Sequence, residues 1–168
     1  NIPVVFVSGH FNNFEVMAMQ IEKSGMELGA IYRPLNNFFL NSTMENIRKK
    51  FICRNQIKKG LSGIRDILNL FKNNTSIALM IDQRVTEGIK SSFFKKEAFT
   101  TTIPAQLVKK YSCPVVSIYI ERIDGHNFKI IIDKPIYFSK DKSTEDITQH
   151  LNYLLEKMVL RNPEQWIL

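Results

Sequence analysis

His10 and Glu15 are the two residues whose types and spacing can best carry chemistry in this sequence. A histidine titrates near neutral pH and can take or give a proton at a reacting atom. His10 follows an apolar run, Val4 to Ser8, and lies within Ser8-Gly9-His10-Phe11-Asn12-Asn13-Phe14-Glu15. Glu15 falls near the first turn of the next helical pattern and shares a face with Phe11 and Ala18. A spacing of five does not bring two side chains together on one continuous helix. It does so if His10 precedes the helix and folds back across its first turn, with Gly9 and Asn12 tolerating the backbone such a turn needs. The other reading stays open: a loop histidine, and a first-turn acid that complements the helix dipole.

The elements that must position these residues alternate between strand and helix. Val4 to Ser8 reads as a strand buried on both faces. Phe14, Met17, Ala18 and Ile21 follow the helical period over Phe11 to Ser24, with Gly25 to end it. Leu28 to Tyr32 is the next strand. Asn36 is the expected cap of a helix running to about Lys50, and Ser62 that of another bearing Ile64, Ile67, Leu68 and Phe71. Ser76 to Ile81 is a third strand, followed by a polar stretch from Asp82 to Thr100 that only Phe93-Phe94 interrupts. A helix from about Thr102 to Tyr111 precedes a strand at Pro114 to Ile120. Asp124-Gly125 marks a hairpin turn into Phe128 to Asp133. Thr144 to Leu160 forms the last helix, with Ser143 and Asp146 resembling a capping box.

This alternation implies an α/β fold: a mostly parallel sheet with helices on both faces and one antiparallel hairpin. Ligands in such sheets bind beyond the carboxyl ends of the strands. Attention therefore falls on Gly9 to Glu15, Arg33 to Asn37, and Asp82 to Phe94. Arg33 follows the second strand and projects at the same edge as His10; its planar fork suits phosphate. Arg48 is a second candidate, or else part of a solvated basic helix end with Lys49, Lys50 and Arg54. Asp82 and Gln83 end the third strand at this rim, as hydrogen-bonding groups that shape a site or as turn formers. Phe93 and Phe94 stand inside this polar loop, either as contacts for an apolar ligand or a bilayer or as an anchor pinning the loop to the core.

With 168 residues, 44% hydrophobic and 23% charged, the composition is that of one globular domain over 1–168. No run approaches the ~18 apolar residues of a membrane span. The sequence opens on Asn1-Ile2-Pro3 without a methionine and stops on Trp166-Ile167-Leu168. The expectation is a domain cut at both ends. Cys53 and Cys113 have no ligand-like neighbours, and His126 and His150 no metal-ligand company, so no metal site and no cofactor are expected. The net charge of +7 favours acidic partners. Nucleic acid is not expected among them, because no RRM, KH, zinc-finger or helix-turn-helix signature accompanies the charge. The paired lysines, from Lys49-Lys50 to Lys109-Lys110, are either a collective field for anionic lipid and an acidic carrier or a solvated face.

The segment from Ser8 to Glu15 resembles the His-x4-acid block of the lysophospholipid acyltransferase superfamily. It is closer still to the lipid A biosynthesis lauroyl/myristoyl acyltransferases, whose block reads like G-H-F-G-N-W-E. The likeness continues in order along the chain. Tyr32-Arg33-Pro34 is similar to a Y-R-P segment, and Asn46-Ile47-Arg48 to a downstream arginine. Asp82-Gln83 resembles a D-Q pair, and Phe93-Phe94 an F-F-G. Ala105 and Cys113-Pro114-Val115-Val116 are similar to a helix and A-P-V-V-type strand, and Pro163-Glu164-Gln165-Trp166 to a closing P-E-Q-W. Asn12 stands for a glycine of that pattern, Phe14 for a tryptophan, Lys95 for a glycine and Ile103 for a small residue.

The resemblance implies a glycerol-phosphate-acyltransferase-like fold and an acyltransferase moving a fatty acyl group from acyl carrier protein to a lipid A precursor or a related anionic lipid. It implies work at the cytoplasmic face of the bacterial inner membrane, peripherally or through an anchor, with the family's membrane anchor and basic tail expected outside residues 1–168. His10 would be the base, and Glu15 would accept a bond from its other ring nitrogen. A different glycolipid or glycerolipid acceptor, an inactive scaffold of the same fold, and a basic nucleic-acid-binding module are the alternatives.

Overall fold

The computed structural model of the chain describes residues 2–86 and 88–167, without the side chains of Phe38, Leu61 and Ser62; the expected Ser62 cap and the two end residues lie outside that description. A six-stranded sheet has the order β3-β2-β4-β1-β7-β8. Its strands are β1 (Val5–Ser8), β2 (Leu28–Tyr32), β3 (Asn55–Lys58), β4 (Ser76–Met80), β7 (Val115–Asp124) and β8 (Asn127–Ile132). The five strands from β3 to β7 pair in parallel, and β8 returns antiparallel to β7. A separate hairpin joins β5 (Ile89–Phe93) to β6 (Lys96–Thr100). The helices are α1 (Glu15–Lys23), α2 (Phe38–Phe51), α3 (Leu61–Lys72), α4 (Ile103–Tyr111) and α5 (Thr144–Arg161).

Alternation along the central strands assigns the two faces. The row Phe6, Ala78, Ala30, Gln56 runs across β1, β4, β2 and β3 in register and borders one cleft with Met17, Ala18 and Ile21 of α1. Gly29, one residue before Ala30, points the other way: a Cβ there would sit 3.0 Å from Leu70 Cδ1 of α3. Helices thus cover both faces, as the alternating pattern implies. Val5, Val7, Leu28, Ile77, Val115 and Ile120 are fully buried between them.

Four local expectations are corrected. The cap of α2 is Asn37, not Asn36: its side chain accepts from the N–H of Phe39 at 3.0 Å and of Leu40 at 3.2 Å. The first helix begins at Glu15 rather than Phe11. Strand β3 escapes a reading by hydropathy, because it is an edge strand in which Ile57 alone is buried. The polar stretch after β4 contains the β5–β6 hairpin. Its two-residue turn, Phe94-Lys95, has φ of 48° and 61°, both left-handed as the favoured tight hairpin turns require. The hairpin reads as polar because its inward position is Ser91, and because α5 meets it with side-chain amides. Gln149 Oε1 accepts from the N–H of Ser92 at 2.8 Å, and Asn152 Nδ2 donates to Ser92 O and Thr100 Oγ1. The capping box at Ser143 and Asp146 and the hairpin at Asp124-Gly125 form as expected.

Candidate active site

Parallel pairing of β1 with β4 sets the site. Val7 lies beside Leu79 and Ser8 beside Met80, so the chain leaves both strands at one edge and brings His10 next to Asp82. Ile81 N–H donates to Ser8 O at 2.9 Å, which carries the pairing one residue past the strands. His10 Nδ1 and Asp82 Oδ1 are 2.7 Å apart, and the backbone N–H of His10 donates to Asp82 Oδ2 at 2.6 Å. The Asp82 side chain is fully buried and that of His10 is 16% exposed. Burial alone would raise the Asp82 carboxyl. The bonds from the His10 ring and backbone, and from the Trp166 indole, outweigh it and hold Asp82 below the usual carboxylate range.

An ionised Asp82 is an acceptor only, so Nδ1 carries a hydrogen, and in the neutral imidazole the lone pair is then on Nε2. Gln83 Nε2 lies 3.4 Å from that nitrogen, and Phe14 packs edge-on against the ring at 4.7 Å between centroids.

This geometry corrects the expected partner of the imidazole. Glu15 does not take the second ring nitrogen of His10; Asp82 does. The Glu15 carboxylate is instead engaged by Arg48, whose Nε donates to Oε1 at 2.6 Å. The reason is topological. Glu15 starts α1, whereas Asp82 leaves the strand paired with β1 and reaches the ring from beneath. His10 and Glu15 still border the same cleft.

The closing segment of the chain pins this turn from the other side. After a 3₁₀ turn at Pro163–Gln165, Trp166 bridges Phe11, and Trp166 Nε1 donates to Asp82 Oδ2 at 3.0 Å. The N–H of Ile167 donates to His10 O and that of Asn12 to Gln165 O. Asn12 holds φ at 43°, in the left-handed region, as its place in the turn requires. Gly9 serves by room rather than by φ: a Cβ would sit 2.8 Å from Leu155 Cδ1 and 3.0 Å from Asp82 Oδ2.

A cleft of about 230 Å³ opens from His10 along the α1 face of the sheet. Its floor is apolar, with Phe6, Ala30, Ala78, Met17 and Ile21, and its rim carries Glu15, Arg33, Arg48, Lys59 and Gln83. Arg33 and Arg48 therefore meet His10 in one cleft, as their places after β2 and on α2 suggest. Arg48 Nη1 is buried and has no hydrogen-bond partner among the described residues. Its guanidinium lies 5.6 Å from the centre of the Tyr32 ring. Tyr32 donates to Glu45; burial first, and then that bond, pushes its hydroxyl pKa up. The same bond, with one from Asn41, lowers Glu45 to about 2.

Phe93 and Phe94 are not on this cleft. Phe93 borders a neighbouring cavity with Asp82 and Gln83, and stacks at 6.0 Å on Trp166 and 4.8 Å on Phe94. These contacts tie Phe93 to the closing segment, while Phe94 is exposed beside it. Sequence reasoning missed two contributors. Lys59 reaches the rim because β3 exists, and Trp166 was a motif letter whose contact with Asp82 spans 84 residues. The buried thiols of Cys53 and Cys113, pushed up by desolvation to about 12 and about 11, stand outside the site.

No match was found in a comparison with individual curated proteins. The model of the family described as bacterial lipid A biosynthesis acyltransferase matches residues 1–168, the whole sequence. A paired histidine and aspartate heading an apolar cleft, carried on collinear sequence blocks from Ser8 to Trp166, is thus found in a chain that belongs to the bacterial lipid A biosynthesis acyltransferase family.

Proposed function

We propose that this acyltransferase moves a fatty acyl group from an acyl carrier protein thioester to a hydroxyl of a lipid A precursor, with His10 as general base. The observation that carries the reading is the His10–Asp82 pair at the head of an apolar cleft. An alcohol is a poor nucleophile at neutral pH, so its proton must leave as its oxygen attacks. His10 Nε2 takes that proton while the oxygen bonds to the thioester carbon. The tetrahedral intermediate then expels the thiolate, which recovers the proton from the imidazolium. Asp82 keeps the ring in the required tautomer and stabilises its charged form. Gln83 is placed beside the reacting atoms, where its amide can donate to the developing oxyanion.

The apolar floor suits the fatty chain. Arg33, Arg48 and Lys59 suit phosphate on the lipid or on the carrier's prosthetic arm, and the unpartnered Nη1 of Arg48 supports a polar ligand there. Glu15 acts in this scheme through Arg48, holding the guanidinium at the rim. Such an acceptor places the reaction at the cytoplasmic face of the bacterial inner membrane, with peripheral or anchored attachment. No helix among the described residues is long and apolar enough to cross a membrane.

The test is an acyl-transfer assay offering acyl carrier protein and coenzyme A thioesters to a lipid A precursor. His10→Ala is expected to lower turnover about 10²–10⁴-fold with the fold retained by circular dichroism. Unchanged turnover in His10→Ala refutes the mechanism. Unchanged lipid A in the mass spectrum of cells lacking the protein refutes the acceptor.

A further inference from the structure

Helix α2 is turned the opposite way to its neighbours. Leu40, Met44, Ile47 and Phe51 follow the i, i+4, i+7, i+11 spacing that ordinarily faces a core. Yet Leu40 is 57%, Ile47 42% and Phe51 56% exposed, and no described side chain of the helix is buried. What α2 turns inward is polar. Asn41 Nδ2 donates to Glu45 Oε1, which also accepts from Tyr32, while Arg48 engages Glu15 at the cleft. The apolar stripe is left outside because the inward face serves the site.

The charges beside the stripe have one sign. The only acid of α2, Glu45, is turned inward. Lys50, one turn on from Ile47, is exposed and forms no ion pair among the described residues, with its Nζ lying 5.1 Å from the centre of the Phe51 ring. An exposed apolar stripe with a lysine at its flank is the pattern of a helix lying in a lipid interface. A second copy of the chain is a poorer occupant, since a two-fold contact across this stripe would bring like charges together.

We propose that the outer face of α2 docks to an anionic bilayer, with Leu40, Ile47 and Phe51 in the headgroup–acyl boundary and Lys50 against lipid phosphate. This rests on the acyl-transfer reading, in which docking beside the face that carries Arg48 brings the cleft mouth to the membrane that holds the acceptor.

The experiment places a tryptophan at the proposed contact. In Phe51→Trp, the added fluorescence is expected to be quenched by phosphatidylglycerol vesicles brominated on the acyl chains. Trp166 of the wild type, held at Asp82, is expected to be unaffected. The double variant Ile47→Asp/Phe51→Asp should bind those vesicles about tenfold more weakly. It should also turn over vesicle-borne acceptor correspondingly slowly, yet match the wild type on acceptor dispersed in detergent micelles. Unquenched Phe51→Trp, whether or not the chain sediments with the vesicles, overturns the proposal, as does a dimer in light scattering that Phe51→Asp dissociates. Failure of the wild type on micellar acceptor counts against the acyl-transfer reading alone, because the quenching result judges the docking separately.

Discussion

In the proposed reaction the His10 imidazole takes a proton through one nitrogen and has to be held at the other, where Asp82 lies 2.7 Å away. Its carboxylate accepts the ring and backbone hydrogens of His10 and the indole hydrogen of Trp166. Because these bonds depress the folded-state pKa of Asp82, the unfolded chain binds the proton first as pH drops. The stabilisation is complete above about pH 4 and is lost as pH falls through the depressed folded value. The melting-temperature gap between wild type and Asp82→Asn should therefore narrow between pH 6 and pH 3; a gap constant over that range contradicts the assignment. That His10 and Arg33 border one cleft was legible from their places after strands, and Arg48 was legible through the resemblance to a family arginine. The partner of His10 was not. Glu15 is near in sequence, whereas Asp82 is brought up by strand pairing over 72 residues, which no local spacing reports.

At the scale of elements, the site is a turn clamped between two strand ends and the closing segment. Gly9 is where these meet most tightly. A methyl group there would press on Leu155, Phe11 and Asp82 at 2.8 to 3.0 Å. Gly9→Ala is expected to destabilise the fold by about 1–3 kcal/mol in urea unfolding and to lower turnover by displacing Asp82; wild-type stability would show that the turn gives way freely. The central strands were legible because burial on both faces leaves continuous apolar runs. Strand β3 and the β5–β6 hairpin were not, for a different reason in each. Edge strand β3 buries Ile57 alone. The hairpin packs through Ser91 against Gln149 and bonds its backbone to Gln149, Asn152 and Glu156 of α5, so its inward side is polar.

Taken whole, the molecule separates its tasks by face. The α1 side of the sheet holds the apolar cleft, the carboxyl edge of the strands holds the His10–Asp82 pair, and α2 carries Arg48 at the rim and an apolar stripe outside. The family was legible because collinear blocks outweigh any one motif. The orientation of α2 was not, since an apolar stripe at helical spacing reads as core whichever way the helix is turned. The central claim is that His10 is a base poised by Asp82. Its most direct test is the steady-state kinetics of acyl transfer in Asp82→Asn beside wild type. The account predicts that kcat falls about 10³–10⁴-fold, as expected when the tautomer is lost, while KM stays within about twofold. A wild-type kcat in Asp82→Asn would contradict it.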